Sequence, residues 1–551
     1  MEEILSNQSG KKVILLGNDA VARGALEAGV QFVATYPGTP ASEIGNTFYR
    51  IAQKAKVHFE FSTNEKLAME AGVGASFAGL KTLVAMKNFG LNVAIEALLP
   101  FVYTGVKGPT VVMVSDDPSC YSSAQTEENT RAFSYLARIP TLEPADVAEC
   151  KEFTKLAFEI SEKFKVPVLL RLTTRVSHQK MPIVLGQVTT NTSLVKGKFV
   201  KDARQFVTMP PRVLEMKEEL LQKNKEIRKF FEKSKINKFE KAAPSGAGII
   251  VSGVAYLYVR EALAQLNLAL PVLKIGSFYP FPKQTAQKFI KTLKKVLVVE
   301  ELDPYLAKEV KEAAQETKCK ARIFSKEWLP ETGELNTDIV ALAVAKLAGR
   351  RYQLPSIKHQ IPDLKRRPQL CPGCPYWLVF AGVKKAVNEK EVVFGGDIGC
   401  YMLAGGAPHF LQDYLSCMGS SIGIAHGIKK ATGQKLISFI GDGTFFHAGI
   451  PALINTVYNG SNPLIIILDN RTTAMTGHQP NPSVPGSNIS SSVAIEDVAR
   501  GCGVKHLKVI DPVMQDEFIK TIREFITKPE VSVIIARRPC IFVKPKDEQK
   551  N

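Results

Sequence analysis

The 551-residue sequence contains no uninterrupted apolar run of the roughly eighteen residues that a membrane-spanning helix requires. Its opening residues, MEEILSNQSGKK, lack the basic segment followed by an apolar segment that marks a secretory signal peptide. These absences argue against a membrane or secreted protein. We therefore expect a soluble, cytoplasmic protein with no membrane partner.

Cysteine is sparse and irregularly spaced, with nine residues in the whole chain. This usage excludes the disulfide framework of a secreted protein, and in a reducing compartment it favours metal binding or catalysis for clustered cysteines. Cys371 and Cys374 form such a cluster in the stretch QLCPGCPYWLVF. We expect no role for the isolated cysteines, which are Cys120, Cys150, Cys319 and Cys502.

Nucleic-acid recognition motifs are also missing, although the formal net charge is +18. Much of the positive charge lies between Lys196 and Lys241, where Glu and Lys alternate at helical spacing. This pattern favours a solvated helix, and the alternative is electrostatic steering of an acidic partner or a phosphorylated ligand. Aromatic residues do not interleave with the basic ones, so we expect no nucleic-acid partner.

Short apolar, β-branched segments alternate with helical patterns along nearly the whole chain, beginning with KKVILLG, QFVATYPG, TLVAM, PTVVMVS and VPVLLRL. Continuous apolar strands joined by helical crossovers predict parallel α/β sheets. We predict a first unit at 1–185, a basic helical connector at 186–245, a second α/β unit at 246–350, a linker at 351–370, a third unit at 371–545 and a tail at 546–551.

The third unit carries the most informative pattern. The apolar stretch LISFI leads into Gly441, Asp442 and Gly443, and the next strand, PLIIIL, ends at Asn470, about 28 positions after Asp442. Neighbouring parallel strands present their carboxyl ends at one edge of a sheet, so Asp442 and Asn470 would offer two oxygen ligands to one point. Mg²⁺ suits such ligands, and the glycines and a following helix N-terminus suit a diphosphate.

This spacing resembles the fingerprint of thiamine diphosphate enzymes. Further stretches, ATYPGTPASEI, NEKLAMEAGVGASFAG, LCPGCPYW, GGDIGC and CMGSSIGIAHG, resemble the large subunit of the indolepyruvate ferredoxin oxidoreductases, a 2-oxoacid oxidoreductase family. The resemblance extends over nearly the whole chain. It implies the thiamine diphosphate-binding, transketolase-like fold, with a pyrimidine-binding first unit, a transketolase C-terminal-like second unit and a diphosphate-binding third unit.

The resemblance also implies roles for particular residues. Asp442, Asn470 and the carbonyl of Thr472 would hold Mg²⁺, while Gly441 and Gly443 would lie against the diphosphate.

In the first unit, Glu65 would be the carboxylate that activates the aminopyrimidine ring, and Thr39 would face the reacting centre. The cofactor is thus expected to contact residues of both units, within one chain or across a dimer. Taken alone, Glu65 is typical of a helix-start carboxylate, and Thr39 could be a helix N-cap. Arg131 could bind a substrate carboxylate or form a surface ion pair.

By the same resemblance, Cys371, Cys374, Cys400 and Cys540 would hold a [4Fe-4S] cluster. Three alternatives remain open for the CPGCP stretch: a structural zinc site, a redox dithiol, or a turn without a metal. Zinc ribbons usually pair one CxxC with another, and this sequence lacks the second.

The implied reaction is oxidative decarboxylation of an aryl 2-oxoacid to its acyl-coenzyme A, with electrons passed to ferredoxin and with a small second (beta) subunit in a hetero-oligomer. The printed sequence has no ferredoxin-like run of closely spaced cysteines at its end, a departure from the family pattern. Two alternatives are a non-oxidative thiamine diphosphate decarboxylase or carboligase, and a non-catalytic subunit of a heteromeric complex.

Overall fold

The computed structural model of the protein describes residues 2–189, 193–242, 246–354, 368–485 and 491–543. The chain forms two compact units, Met1–Lys358 and His359–Asn551. The first compact unit contains the segments 1–185 and 246–350, and the second contains the segment 371–545. The division between them falls in the segment 351–370 that we interpret as a linker. The boundaries proposed at 185 and 246 remain predictions.

The first unit alternates strands and helices in chain order. Its strands are β1 (Lys12–Leu16), β2 (Phe32–Thr35), β3 (His58–Phe61), β4 (Thr82–Lys87), β5 (Thr110–Asp116), β6 (Thr141–Leu142), β7 (Val168–Thr173), β8 (Lys180–Val184), β9 (Lys238–Glu240), β10 (Ala247–Ser252), β11 (Val272–Ile275), β12 (Ser277–Tyr279), β13 (Lys295–Val299) and β14 (Arg322–Phe324). Its helices are α1 (Gly17–Glu27), α2 (Ser42–Ala55), α3 (Glu65–Phe77), α4 (Asn88–Thr104), α5 (Arg131–Ala137), α6 (Val147–Phe164), α7 (Thr174–His178), α8 (Ala203–Phe206), α9 (Arg212–Phe231), α10 (Ala255–Gln265), α11 (Lys283–Ile290), α12 (Tyr305–Glu316) and α13 (Thr337–Leu347).

A seven-stranded sheet organises the first part of this unit, in the order β12-β6-β7-β5-β4-β2-β3. All neighbours pair in parallel except β12 and β6, which are antiparallel. The central strands β4 and β5 are buried on both faces, which explains why they appear in the sequence as continuous apolar runs. The carboxyl ends of β2, β4 and β5 therefore lie at one edge.

The KKVILLG stretch differs from our expectation of a strand in the parallel sheet. It forms β1, but β1 pairs antiparallel with β8 in a separate two-stranded sheet. Alternate residues of β1 are exposed, which is typical of a strand covered on one face only.

A five-stranded sheet in the order β14-β13-β10-β11-β9 organises the rest of the first unit. Strand β9, inside the segment that we interpret as a connector, pairs antiparallel with β11, and the remaining pairs are parallel. Strand β12 leaves this region to extend the seven-stranded sheet. Segment 246–350 thus shares backbone hydrogen bonds with the segment before it.

The second unit has a six-stranded, fully parallel sheet in the order β16-β15-β17-β18-β20-β19. Its strands are β15 (Val392–Gly396), β16 (Tyr414–Leu415), β17 (Lys435–Gly441), β18 (Leu464–Asp469), β19 (His506–Ile510) and β20 (Ser532–Arg537). Its α-helices are α14 (Tyr376–Ala386), α15 (Ser420–Thr432), α16 (Asp442–Thr444), α17 (Ile450–Tyr458), α18 (Ile495–Gly501) and α19 (Gln515–Phe525), with a π-helical turn, Phe445–Gly449, between α16 and α17.

Parallel α/β sheets with helical crossovers match the fold class that the sequence predicts. Among the described residues, none of the helices has the length and apolar character needed to cross a bilayer.

Candidate active site

Strands β17 and β18 bring Asp442 and Asn470 to the same edge of the second unit's sheet. The two strands pair in parallel, with Gly441 opposite Leu468. Asp442 is the first residue after β17, and Asn470 is the first after β18. Both side chains are buried. The structure therefore brings together the two oxygen-bearing residues that the sequence predicts to be neighbours.

The Asp442 carboxylate has an incomplete set of hydrogen bonds. Its Oδ1 accepts the backbone N–H of Gly443 at 2.7 Å, but its buried Oδ2 has no hydrogen-bond partner among the described residues. Burial, together with the nearby charge of Asp469, raises the pKa of this carboxyl to about 7. A buried carboxylate oxygen without a partner is costly, so the Asp442 site is suited to a bound cation.

Asp469 is held differently. Its carboxylate is fully buried and forms an ion pair with Arg537 of β20, with Nε 2.6 Å from Oδ2. This carboxylate therefore already has a cationic partner from the protein. Asp442, unlike Asp469, therefore has a carboxylate oxygen that could still coordinate a cation.

The loop after Asn470 folds back over the site. The backbone N–H of Thr472 donates to Oδ1 of Asn470 at 3.1 Å, and the Thr472 hydroxyl donates to the Gln479 carbonyl at 3.3 Å. A side chain at Gly443 would begin 3.1 Å from Oγ1 of Thr473. The loop thus packs closely against the Gly-Asp-Gly turn, and this close approach, rather than a positive φ, favours glycine at position 443.

The four predicted cluster cysteines lie in loops next to this edge. Cys371 and Cys374 precede α14, Cys400 follows β15, and Cys540 follows β20. The backbone N–H of Cys540 donates to the Asn470 carbonyl at 2.9 Å, which joins the cysteine loops directly to the Asp442 edge. None of the four cysteines is in a disulfide.

The thiols are close enough to influence each other's ionisation. Burial, together with the neighbouring Cys374, Cys540 and Cys371, raises the pKa of Cys400 to about 12. Burial, and then Cys540 and Cys371, likewise raises the pKa of Cys374. However, the described part of the chain has no group of three or more His, Cys, Asp or Glu side chains in an arrangement that could hold a metal ion. The four thiols are therefore near one another, but they are not arranged to coordinate a metal ion.

Glu65 is the first residue of α3 in the first unit, as expected for a helix-start carboxylate. The capping role, however, belongs to Asn64, whose side chain accepts the Leu67 N–H at 2.9 Å. Glu65 is only 6% exposed, and a methyl group added at Gly90 of α4 would lie 2.6 Å from its Cγ. Burial against α4 is not needed for capping, so it favours a separate role for this carboxylate.

Thr39 lies in the loop between β2 and α2. The N-cap of α2 is Ala41, which makes no side-chain cap, so the N-cap alternative for Thr39 is wrong. The Thr39 hydroxyl is 3.4 Å from that of Ser42. The neighbouring Gly38 packs against the end of β4, because a methyl group there would lie 2.8 Å from Cγ of Lys87.

Arg131 fits neither of its two predicted roles. It is 2% exposed, with Nε and Nη2 donating to Glu143 at 2.7 and 2.6 Å and Nη1 donating to Glu300 at 2.6 Å. Nη2 also donates to Ser252. These contacts make Arg131 the centre of a buried ion-pair network that is closed to substrate.

Two polar residues near Glu65 escaped the sequence analysis, Lys87 and Asn88. Lys87 ends β4, and Asn88 begins α4 at the carboxyl edge of the seven-stranded sheet. Asn88 is fully buried, and neither polar atom of its side chain has a hydrogen-bond partner among the described residues. The available signal was a lysine directly after the buried run TLVAM, where parallel sheets bind ligands.

Two family models match the chain. Residues 23–245 match the thiamine diphosphate-binding part of the pyruvate flavodoxin/ferredoxin oxidoreductases. Residues 397–536 match the C-terminal thiamine pyrophosphate-binding domain of thiamine pyrophosphate enzymes. The two matched regions contain Glu65 and Asp442, respectively.

Relatives resemble the chain over almost its entire length. Indolepyruvate oxidoreductase subunit IorA of Methanothermobacter thermautotrophicus is 42% identical over 98% of this chain and 89% of the relative. The subunit of the same name from Thermococcus kodakarensis is 40% identical over 98% and 88%. Among solved structures, 2-oxoglutarate:ferredoxin oxidoreductase from Magnetococcus marinus has a TM-score of 0.50 at 20% identity, over 61% of this chain and 65% of that chain.

The solved structure supports the α/β fold alone, whereas the sequence relatives decide the family. Identity at this level and coverage cannot arise from a shared fold by itself. The chain belongs to the IorA family of indolepyruvate oxidoreductase subunits, which are thiamine diphosphate-binding 2-oxoacid oxidoreductases.

Proposed function

We propose that this chain is the thiamine diphosphate-binding subunit of a cytoplasmic enzyme that oxidatively decarboxylates an aryl 2-oxoacid such as indolepyruvate. One 2-oxoacid, one coenzyme A thiol and two oxidised ferredoxins would give one acyl-coenzyme A, one carbon dioxide, two reduced ferredoxins and one proton. The names of the relatives support the substrate class and an assembly with at least one further subunit, which we propose to be a small beta subunit. The family model over 23–245 supports ferredoxin as electron acceptor.

Asp442, Asn470 and the Thr472 carbonyl would hold Mg²⁺ and, through it, the diphosphate of the cofactor. The observation that carries this assignment is the buried, unpartnered Oδ2 of Asp442 beside Asn470 at adjacent strand ends. Mg²⁺ prefers a few protein oxygens together with phosphate oxygens and water, which agrees with this donor set. Gly441 and Gly443 would let the diphosphate approach the backbone.

Glu65 would hold a proton at the ring nitrogen of the aminopyrimidine. When bound, thiamine diphosphate would supply a nucleophilic ring carbon and an acceptor for the electrons left by decarboxylation. A carboxylate shielded from water interacts strongly with a ring nitrogen, and Glu65 is shielded by α4. Thr39 is proposed to line the reacting centre from the neighbouring loop.

Cys371, Cys374, Cys400 and Cys540 are proposed to hold a [4Fe-4S] cluster. Four free thiols that influence each other's ionisation support this donor set. The described thiols do not yet form a metal-ready arrangement, so the loops before α14 and after β20 would have to adjust on cluster insertion. The backbone hydrogen bond between Cys540 and Asn470 ties these loops to the proposed cofactor edge.

The proposal is tested by anaerobic reduction of a viologen dye by the purified complex, supplied with indolepyruvate, coenzyme A, Mg²⁺ and thiamine diphosphate. We expect dye reduction that requires the 2-oxoacid and thiamine diphosphate. Glu65→Gln should lower kcat by about 10²-fold or more, because the amide cannot exchange a proton with the ring. Glu70→Gln is the matched control, since Glu70 lies on the same helix but is exposed.

Thiamine diphosphate binding, measured by quenching of intrinsic fluorescence, should be retained in both variants. Full activity of Glu65→Gln would refute the role of this carboxylate. Carbon dioxide release without dye reduction would instead indicate a non-oxidative decarboxylase.

A further inference from the structure

Lys87 presents a cationic group at the same edge of the first unit as Glu65 and Thr39. It is the last residue of β4, and its aliphatic stem packs against Gly38, next to Thr39. Glu65 packs against Gly90, three residues further along in the first turn of α4. The loop at Thr39, the start of α3 and the start of α4 therefore converge around Lys87.

The Lys87 ammonium has neutral partners. Its Nζ donates to the Ser122 carbonyl at 3.2 Å and to the Ser123 hydroxyl at 2.9 Å. Among the described residues, no carboxylate lies within ion-pair distance of Nζ, and the Phe89 ring is 5.0 Å away. Burial lowers the pKa of Lys87, while the charges of Asp117, Glu65 and Glu128, none of which is paired with Nζ, act in the opposite direction. The net lowering means that the positive charge is poorly solvated. A partly buried cation with neutral partners attracts an anion.

Asn88 gives an independent indication of a ligand. Its side chain is fully buried, and both Oδ1 and Nδ2 lack hydrogen-bond partners among the described residues. Leaving a buried amide unsatisfied costs free energy, and such groups often pair with a bound ligand. Asn88 also opens the 17-residue helix α4, whose first amides favour negative charge.

Two buried arginines of the first unit are already paired. Arg131 is enclosed by Glu143 and Glu300, and Arg171 pairs with Asp116 at 2.7 Å. These guanidinium groups cannot receive a substrate carboxylate without breaking buried ion pairs. Lys87 is the cation next to Glu65 that needs no such exchange.

We propose that Lys87, assisted by Asn88 and the first turn of α4, binds the carboxylate of the 2-oxoacid and so determines specificity for 2-oxoacids. This inference rests on the proposed function, because it assigns the substrate class to a residue of the proposed site. A carboxylate held by Lys87 would keep the substrate oriented toward the reacting centre that Glu65 and Thr39 border. The ammonium would bind the substrate and would not transfer protons.

The test uses two unreactive ligands that differ by one carboxylate, indole-3-lactate and tryptophol. Their dissociation constants are measured by calorimetry on the intact complex loaded with thiamine diphosphate and Mg²⁺. The wild-type protein should bind indole-3-lactate about tenfold or more tightly than tryptophol, as expected for a charge-assisted hydrogen bond. Lys87→Met should reduce this ratio to about one, and Lys87→Arg should retain part of it.

Lys81→Met is the matched control. Lys81 directly precedes β4, at the opposite end of the strand, and its Nζ donates to the Ala28 carbonyl. This variant should keep the wild-type ratio. Thiamine diphosphate affinity should be the same in all these variants, which separates a role in carboxylate binding from a general loss of structure.

Asn88→Leu provides a second readout. Removing an unsatisfied buried amide should raise the unfolding temperature, while indole-3-lactate should bind several-fold more weakly.

A wild-type ratio in Lys87→Met, or equal binding of both ligands by the wild-type protein, would overturn the assignment. These binding results do not depend on turnover, so dye reduction tests the proposed function separately. Dye reduction by the wild type together with an unchanged Lys87→Met ratio would refute only the role of Lys87.

Discussion

Single residues in this protein show how buried charge is used in two ways. Arg131 and Arg171 form buried ion pairs with Asp116, Glu143 and Glu300 inside the first unit. Glu300 also accepts the N–H groups of Leu306 and Ala307, at the start of α12. In the second unit, by contrast, one buried oxygen of Asp442 has no hydrogen-bond partner in the part of the chain that the structure describes. The first arrangement is structural, and the second is suited to binding.

The Arg131 network should be a major contributor to stability. Replacing Arg131 by Met leaves Glu143 and Glu300 buried without their main cation, which should lower the free energy of unfolding by about 3–5 kcal/mol. The pair Arg175–Glu334 is the control, because the Arg175 side chain is 57% exposed, and Arg175→Met should cost about 1 kcal/mol or less. Urea unfolding of the purified protein measures both. Equal midpoints for the two variants would contradict a structural role for Arg131.

Asp442 should show the opposite balance between stability and binding. Asp442→Asn keeps an Oδ1 acceptor for Gly443 but removes a buried charge near Asp469, so the cofactor-free protein should unfold at a higher temperature. Affinity for thiamine diphosphate in the presence of Mg²⁺ should fall at least about tenfold, because a charged ligand is lost. Asp497→Asn, at an exposed position of α18, should change neither property. Unchanged cofactor affinity in Asp442→Asn would argue against the Mg²⁺ assignment.

Among the helices and strands, close packing between α3 and α4 fixes the position of Glu65. Gly90 leaves room for the Glu65 side chain, whereas Gly74 of α3 has no atom within 4 Å of an added methyl group. Gly90→Ala should therefore displace Glu65 and reduce kcat about tenfold or more, although alanine is the better helix former.

Gly74→Ala provides the comparison for that change. It should stabilise the protein by about 0.5–1 kcal/mol and leave kcat unaltered. Thermal unfolding and dye-reduction assays on the two variants distinguish them. If Gly90→Ala left kcat unaltered, as expected for Gly74→Ala, the contact between Glu65 and α4 would not be needed for activity.

At the same scale, sequence patterns predict which segments form strands better than they predict strand partners. The runs TLVAM, PTVVMVS and PLIIIL are strands because both faces of each are buried. KKVILLG is also a strand, yet it pairs with β8, far away in the sequence. Apolar periodicity contains no information about such a long-range choice, and the same holds for β12, which joins β6.

The proposed site residues also divide into those that depend on neighbouring strands, which the sequence predicts, and those that depend on contacts between distant segments, which it does not. Asp442 and Asn470 were predictable because consecutive parallel strands place their ends together. Lys87 was not, because its environment depends on Gly38 and on the Ser122–Ser123 segment, which are distant in sequence. The burial of Arg131 by Glu300 was equally invisible, since the two residues are far apart in the chain.

For the whole molecule, the proposed site residues are divided between the two compact units. Glu65, Thr39 and Lys87 belong to the first unit, and Asp442 with the cluster cysteines belongs to the second. Neither unit by itself contains all the proposed site residues. A test of the proposed function therefore needs the whole chain, in the complex with which it purifies.

The most direct measurement is electron paramagnetic resonance of the anaerobic complex, frozen after addition of indolepyruvate, coenzyme A and thiamine diphosphate. We expect the signal of a reduced [4Fe-4S] cluster in the wild type. Glu65→Gln should show this signal only with dithionite, and Cys400→Ser should lose the signal under both conditions. A wild-type complex that turns over indolepyruvate but shows no iron–sulfur signal, even with dithionite, would contradict the account.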